Sequence, residues 1–170
     1  ALPIYGYFDN DTVSFGPGIA WSNLQFSRVS ADDVLITTPG GGTVLVRKGA
    51  VSNYGIENYT FADGTIKTFA DLKAVMIATA TAGNDGITGF DSTADTINGL
   101  AGNDTILYSA GADVNDGGAD SDTISFASIV STTNYINVTL AGASDATVTI
   151  NNLTSQTVRN IENVTGTAGN

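Results

Sequence analysis

The chain contains no cysteine and no histidine, and it sets six basic residues against 17 acidic ones in 170. Without cysteine there is no disulfide framework to staple the fold. Without histidine or cysteine, neither a Ser-His-Asp nor a Cys-His nucleophile can be assembled, and the usual His/Cys zinc site is excluded. No catalytic constellation stands out, so no enzymatic activity is expected. A formal net charge of −11 and a pI near 4.1 exclude nucleic-acid binding by phosphate neutralisation. Cations are the natural partners. Long apolar runs are missing too. The longest, Ala74-Val75-Met76-Ile77-Ala78, falls far short of the roughly 20 residues that a spanning helix needs. The opening Ala1-Leu2-Pro3-Ile4-Tyr5 has no basic region and no apolar region of the signal-peptide kind.

Glutamate is almost missing as well. Fifteen of the acidic residues are Asp, and only Glu57 and Glu162 are Glu. Glu suits helices, whereas Asp competes with helical backbone bonding and favours turns and caps. The 23 Thr favour strands and the 20 Gly punctuate turns. A mean hydropathy of +0.10 is too high for plain disorder. The composition predicts an all-β chain with many acidic turns.

Charge divides the chain. No Lys or Arg occurs from Ala74 to Val158, a span that holds nine Asp. Before it, Leu24–Val29, Val34–Thr37, Val44–Arg47 and Ile56–Phe61 alternate as strands, with Pro39-Gly40-Gly41-Gly42 and Ala62-Asp63-Gly64-Thr65 as turns. One short helix is predicted near 68–77, with Thr68 as N-cap and Asp71 three residues on. After it, Tyr135–Leu140 and Ala146–Ile150 read as strands around the turn Ala141–Asp145.

The middle holds an internal repeat. Asp85, Asp95, Asp104, Asp113 and Asp122 follow one another at steps of ten, nine, nine and nine. Ile stands two places after the Asp in four of the five copies, and Asn115 takes that place in the other. Asp-Gly and Asn-Asp turns occur in any β protein, but five in this register, each feeding a short strand, form a periodic unit. Six residues make a Gly/Asp-rich turn and three make a strand whose central Ile faces inward. Two repeats complete one coil of a right-handed parallel solenoid, so turns of repeats n and n+2 stack. Parallel strands lie about 4.7–4.9 Å apart, and half of that matches a calcium–oxygen bond of about 2.3–2.6 Å. Mg²⁺, at about 2.0–2.1 Å, fits less well. Asp supplies a short carboxylate, and Gly lets carbonyl oxygens converge. One Ile per nine residues is too little apolar burial to offset ordering the backbone, so cation binding is expected to drive folding.

These residues resemble the RTX (repeats-in-toxin) haemolysin-type calcium-binding nonapeptide family, Gly-Gly-x-Gly-x-Asp-x-hydrophobic-x. Leu100-Ala101-Gly102-Asn103-Asp104-Thr105-Ile106 is the best copy, and Gly117-Gly118-Ala119-Asp120-Ser121-Asp122-Thr123-Ile124 is close. Upstream, Tyr54–Thr65 followed by Phe69-Ala70-Asp71-Leu72 resembles the haemolysin-type related domain that accompanies such repeats. The resemblance implies three segments: a related β module with the helix at 1–78, a calcium-bound β-roll at 79–126, and a β extension at 127–170 leading into a further repeat block. Carried over by position, Asp85 pairs with Asp104, Asp95 with Asp113, and Asp104 with Asp122, enclosing up to three ions. The implied carbonyl donors are Thr81 and Gly83 facing Gly99 and Ala101, and Leu100 and Gly102 facing Gly117 and Ala119. The sequence departs from the family in four places. There is an extra residue near Phe90-Asp91-Ser92, Asn115 holds an apolar position, Asp120 replaces a turn Gly, and Ser131 stands 18 residues after Asp113.

The resemblance further implies a non-catalytic module of a larger secreted bacterial protein, extracellular or at the cell surface, exported by a type I system. Its expected partners are calcium ions and other RTX modules or extracellular polysaccharide. The rival readings are a glycan-binding appendage of a polysaccharide-modifying enzyme and a structural segment of an adhesin or surface-layer protein. Glu57 and Glu162 could be read as a glycosidase pair. They sit, however, in two copies of one phrase, Ile56-Glu57-Asn58-Tyr59-Thr60 and Ile161-Glu162-Asn163-Val164-Thr165, which favours a repeated structural role. The closing Thr167-Ala168-Gly169-Asn170 matches Thr81-Ala82-Gly83-Asn84, as if another block were to follow.

Overall fold

The computed structural model describes all residues except 1–2, 6–9, 31–32, 48–54, 79, 92, 131–134, 152 and 168–170. Tyr54, Ser92, Ser131 and the closing 168–170 segment, all invoked above, lie outside the described residues. The fold is mostly β with one short helix, and it divides into two compact units, Ala1–Met76 and Ile77–Asn170.

In the first unit, strands β1 (Pro3–Tyr5), β2 (Thr12–Phe15), β3 (Gln25–Arg28), β4 (Val34–Thr37), β5 (Thr43–Arg47), β6 (Asn58–Phe61) and β7 (Ile66–Thr68) precede helix α1 (Phe69–Ile77). One sheet has the order β1-β5-β4-β3 and the other β2-β6-β7. The turn between β4 and β5 closes where predicted, with Thr38 N–H donating to the Gly42 carbonyl at 2.8 Å. Between β6 and β7, Gly64 takes φ +87°, a left-handed value that glycine adopts without a Cβ penalty. The helix begins at a reciprocal cap. Thr68 N–H donates to Asp71 Oδ2 at 2.8 Å, and Asp71 N–H returns to Thr68 Oγ1 at 3.4 Å. Trp21 is half-buried against the rings of Phe26, Tyr59 and Phe61, which makes it part of this unit's packing.

In the second unit, the repeats supply five three-residue strands: β8 (Gly86–Thr88), β9 (Thr96–Asn98), β10 (Thr105–Leu107), β11 (Val114–Asp116) and β12 (Thr123–Ser125). Then come β13 (Ile136–Val138), β14 (Ala146–Ile150), β15 (Leu153–Arg159) and β16 (Asn163–Thr165). Successive repeats go to different sheets. The first sheet, β16-β12-β10-β8, is parallel throughout; the second, β13-β14-β15-β11-β9, is parallel across β9, β11 and β15 and antiparallel beyond. In register, Ile87, Ile106 and Ile124 stack in the first sheet, and Ile97, Asn115 and Val158 in the second. The four Ile and Val158 are at most 1% exposed and lie in one core with Phe126, Val148 and Ile161.

Strand β15 was not foreseen. It runs antiparallel to β14 and parallel to β11, and β16 pairs parallel with β12, so residues after 127 extend both sheets begun by the repeats. The turn before it carries Asn151 at φ +54°, a conformation that Asn tolerates.

Candidate metal centre

Each repeat Asp closes a turn just before its strand, so stacking the strands also stacks the Asp residues. In the first sheet Asp85 N–H donates to Asp104 Oδ1 at 2.8 Å, and Asp104 N–H donates to Asp122 Oδ1 at 2.9 Å. On the second sheet's side Asp95 N–H donates to Asp113 Oδ1 at 3.0 Å. The three Asp pairs expected from sequence are therefore direct neighbours. An Asn column runs beside them: Asn103 N–H donates to Asn84 Oδ1 at 2.8 Å, and Ser121 N–H to Asn103 Oδ1 at 3.0 Å.

The second carboxylate oxygen separates these Asp residues into two kinds. Asp85 Oδ2 accepts from Thr81 N–H at 2.6 Å and Thr81 Oγ1 at 2.9 Å. Asp95 Oδ2 accepts from Phe90 N–H at 2.5 Å, and Thr93 Oγ1 reaches both of its oxygens. Asp113 Oδ2 accepts from Ser109 Oγ at 3.0 Å and Gln156 Nε2 at 2.8 Å. By contrast, Asp104 Oδ2 and Asp122 Oδ2 have no hydrogen-bond partner among the described residues, though their residues are 1% and 0% exposed. A buried, ionised oxygen left without a donor is costly, so each of these two calls for a positive partner. Burial pushes the carboxyls of Asp113 and Asp122 above their ordinary value; at Asp122 the negative charges of Asp104, Glu162 and Asp120 push the same way.

Each bare oxygen borders a glycine and a carbonyl; Gly89 borders Asp95 Oδ2 in the same way, but the far wall there is the Ser109 side chain rather than a carbonyl oxygen. Five residues before Asp104 and Asp122 stand Gly99 and Gly117. A Cβ on Gly99 would run into both Asp104 Oδ2 and the Gly117 carbonyl oxygen. A Cβ on Gly117 would lie 2.6 Å from Asp122 Oδ2 and run into the Asn160 carbonyl oxygen. Each missing side chain leaves a gap bounded by one bare carboxylate oxygen and one carbonyl from the next turn. The equivalent place before Asp85 is Ala80 and before Asp113 is Tyr108. Among the described residues no group of three or more acidic side chains forms a metal cluster. A cation here would take carboxylate and backbone oxygens together, a donor set suited to a hard ion such as Ca²⁺.

The other expected carbonyl donors lie in the same stack. Gly102, at φ +104°, packs over Gly83, whose carbonyl oxygen would stand 2.7 Å from a Gly102 Cβ. Leu100 takes φ +75°, and its carbonyl accepts from Ala119 N–H at 2.9 Å; Ala101 and Ala119 form a parallel bridge. Asp120, also left-handed at φ +81°, accepts from Gly102 N–H at 3.1 Å, which gives the residue that replaces a turn Gly a structural use. Phe90, beside the extra residue, is 0% exposed, and its N–H donates to Asp95.

Sequence reasoning missed two residues. The neighbour of Asp113 in the stack is Gln156, because β15 supplies the next strand. Gln156 also accepts from Asn115 Nδ2 at 3.1 Å and donates to the Ser109 carbonyl at 2.6 Å, so the polar Asn115 is satisfied inside the core. The neighbour of Asp122 is Glu162, whose Oε2 accepts Asp122 N–H at 2.8 Å. The same clasp occurs in the first unit, where Glu57 Oε2 accepts Asp11 N–H at 2.7 Å. The repeated Ile-Glu-Asn-x-Thr phrase was the available signal.

No family model matches the chain, and no curated protein matches it in sequence. Among solved structures, the crystal structure of the extracellular lipase LipA from Serratia marcescens is similar at 14% identity and a TM-score of 0.24. That match covers 92% of this chain and 32% of the lipase chain, so this chain spans about a third of its length. At that level the likeness assigns neither fold nor activity.

Proposed function

We propose that the second unit is a calcium-folded β-roll of the RTX type, serving as a non-catalytic structural module of a larger secreted protein. One observation carries this reading: Asp104 Oδ2 and Asp122 Oδ2 are buried without a partner, each facing a glycine gap lined by a carbonyl from the stacked turn. The alternation of short parallel strands between two sheets and the Asp-to-Asp stacking support it further. Calcium in the gaps would supply the positive charge that these oxygens lack. With calcium scarce, a stack of buried carboxylates opposes its own folding. At extracellular calcium, about 10⁻³ M, modules with Kd of about 10⁻⁴–10⁻³ M fill and fold.

The test is circular dichroism and calcium titration on the full chain. Excess chelator should remove most of the β signal of the second unit, and calcium should restore it where magnesium does not. Spectra unchanged between chelator and saturating calcium would refute the reading.

A further inference from the structure

We infer that the Asn160–Glu162 turn, which lies outside the nonapeptide repeats, completes an additional calcium site with Gly117 and Asp122. The inference rests on the calcium reading above and extends it to residues that the repeat pattern does not include. Three observations carry it. Asp122 is 0% exposed; its Oδ1 serves Asp104 N–H, and its Oδ2 has no partner. That oxygen borders the Gly117 gap, and the opposite wall is the Asn160 carbonyl. The Gly99 gap has the same construction, with Asp104 Oδ2 and the Gly117 carbonyl as its walls. The structural period thus runs one step past the sequence repeat.

The Asn160 turn is held in place from two sides. Asn160 N–H donates to the Gly142 carbonyl and its Nδ2 to Asp116 Oδ1, each at 2.7 Å. Its φ of +48° is left-handed. Glu162 takes the role that Asp122 plays one step earlier, since its Oε2 accepts Asp122 N–H as Asp122 Oδ1 accepts Asp104 N–H. The other oxygen of that carboxylate is the remaining ligand. This turn is shorter than its neighbour. The paired strands are joined from Asp116 to Thr123 in one layer and from Arg159 to Asn163 in the next. A turn with fewer residues offers fewer carbonyls, and the longer Glu side chain stands where the longer turns use Asp. Glu162 is also exposed. This site should therefore be weaker than the Gly99 site and fill last.

The experiment is equilibrium dialysis and isothermal titration of the full chain with calcium chloride, using wild type, Glu162→Gln and Glu162→Asp. Glu162→Gln should bind one calcium fewer than wild type at millimolar calcium. Glu162→Asp should weaken the last binding step about tenfold or more while the tighter steps stay put. Should Glu162→Gln fail to fold in saturating calcium, Glu162→Asp decides, because it keeps the charge. Wild-type stoichiometry and affinity in the variants that fold would overturn this inference and leave the calcium reading intact. A wild-type chain that binds no calcium would overturn both.

Discussion

Replacing Asp104 by Asn changes one oxygen to an NH₂ group at nearly constant volume, and the two calcium conditions should respond differently. The variant keeps an acceptor for Asp85 N–H, now bonded to Asp104 Oδ1 at 2.8 Å. What it removes is the buried negative charge at the Gly99 gap, where Oδ2 has no donor. An unsatisfied buried polar group costs about 1–3 kcal/mol, and more when charged. In chelator the variant should therefore be more stable than wild type by about 1–3 kcal/mol, helped by an N–H facing the Gly117 carbonyl. Calcium should reverse the advantage. A site filled at a hundred times its Kd adds about 2.7 kcal/mol, and the variant forfeits that increment. Hydrogen exchange read by mass spectrometry on peptides spanning 104–124 reports the difference. Its probes include Thr123 N–H, bonded to the Asp104 carbonyl at 2.9 Å. A calcium-induced gain in protection equal to that of wild type would refute the assignment of Asp104 Oδ2 as a ligand.

Two further outcomes follow from the same geometry. Gln156→Ala strips Asn115 Nδ2 of its buried partner and leaves Asp113 Oδ2 with Ser109 Oγ alone, at a cost of about 1–3 kcal/mol for the unsatisfied amide. Because Gln156 is no ligand, calcium stoichiometry should stay at the wild-type value, and a lost ion would contradict its role as a hydrogen-bonded end to that column. Acidity should act with opposite signs in the two units. Burial raises the carboxyls of Asp113 and Asp122, so their proton is held more tightly in the folded state than in the unfolded one. The metal-free second unit should be most stable below the unfolded carboxyl value of about 3.9 and lose stability as pH rises through the raised folded values. Asp71 is lowered, first by the Thr68 N–H and then by Lys67, so its contribution is present above that unfolded value and lost on acidification. Exchange protection in chelator at pH 4 and pH 7, corrected for intrinsic rates, checks this. A second unit that loosens on acidification would contradict it.

Local chemistry was legible in the sequence because it depends on near neighbours. The helix cap needs only Thr68 and Asp71, the turn at Gly64 needs only a left-handed residue, and the Asp period needs only counting. That period also placed Asp104 between Asp85 and Asp122, because a strict repeat turns sequence distance into spatial order. What separates the Asp residues, however, is whether each second oxygen meets a donor. Thr81 and Ser109, four residues before Asp85 and Asp113, donate within the same turn, whereas the carbonyls that face Asp104 Oδ2 and Asp122 Oδ2 across Gly99 and Gly117 come from another turn and arrive only once the turns are stacked.

By itself, then, the sequence determined the mostly β character, the short helix near 68–77, the acidic ladder and the absence of thiol or imidazole chemistry, since composition and short-range spacing suffice for each. Only the tertiary structure decided how the ladder ends. Strand β15 returns beside β11 after a long excursion and delivers Gln156 to Asp113, while β16 delivers Glu162 to Asp122. Those contacts join residues 40 and 43 positions apart, and no local period records them. One stack closes with an amide that donates to its Asp. The other closes with a carboxylate and leaves Asp122 Oδ2 bare, because which strand lands beside a repeat is settled by burying Val158 and Ile161 in the shared core.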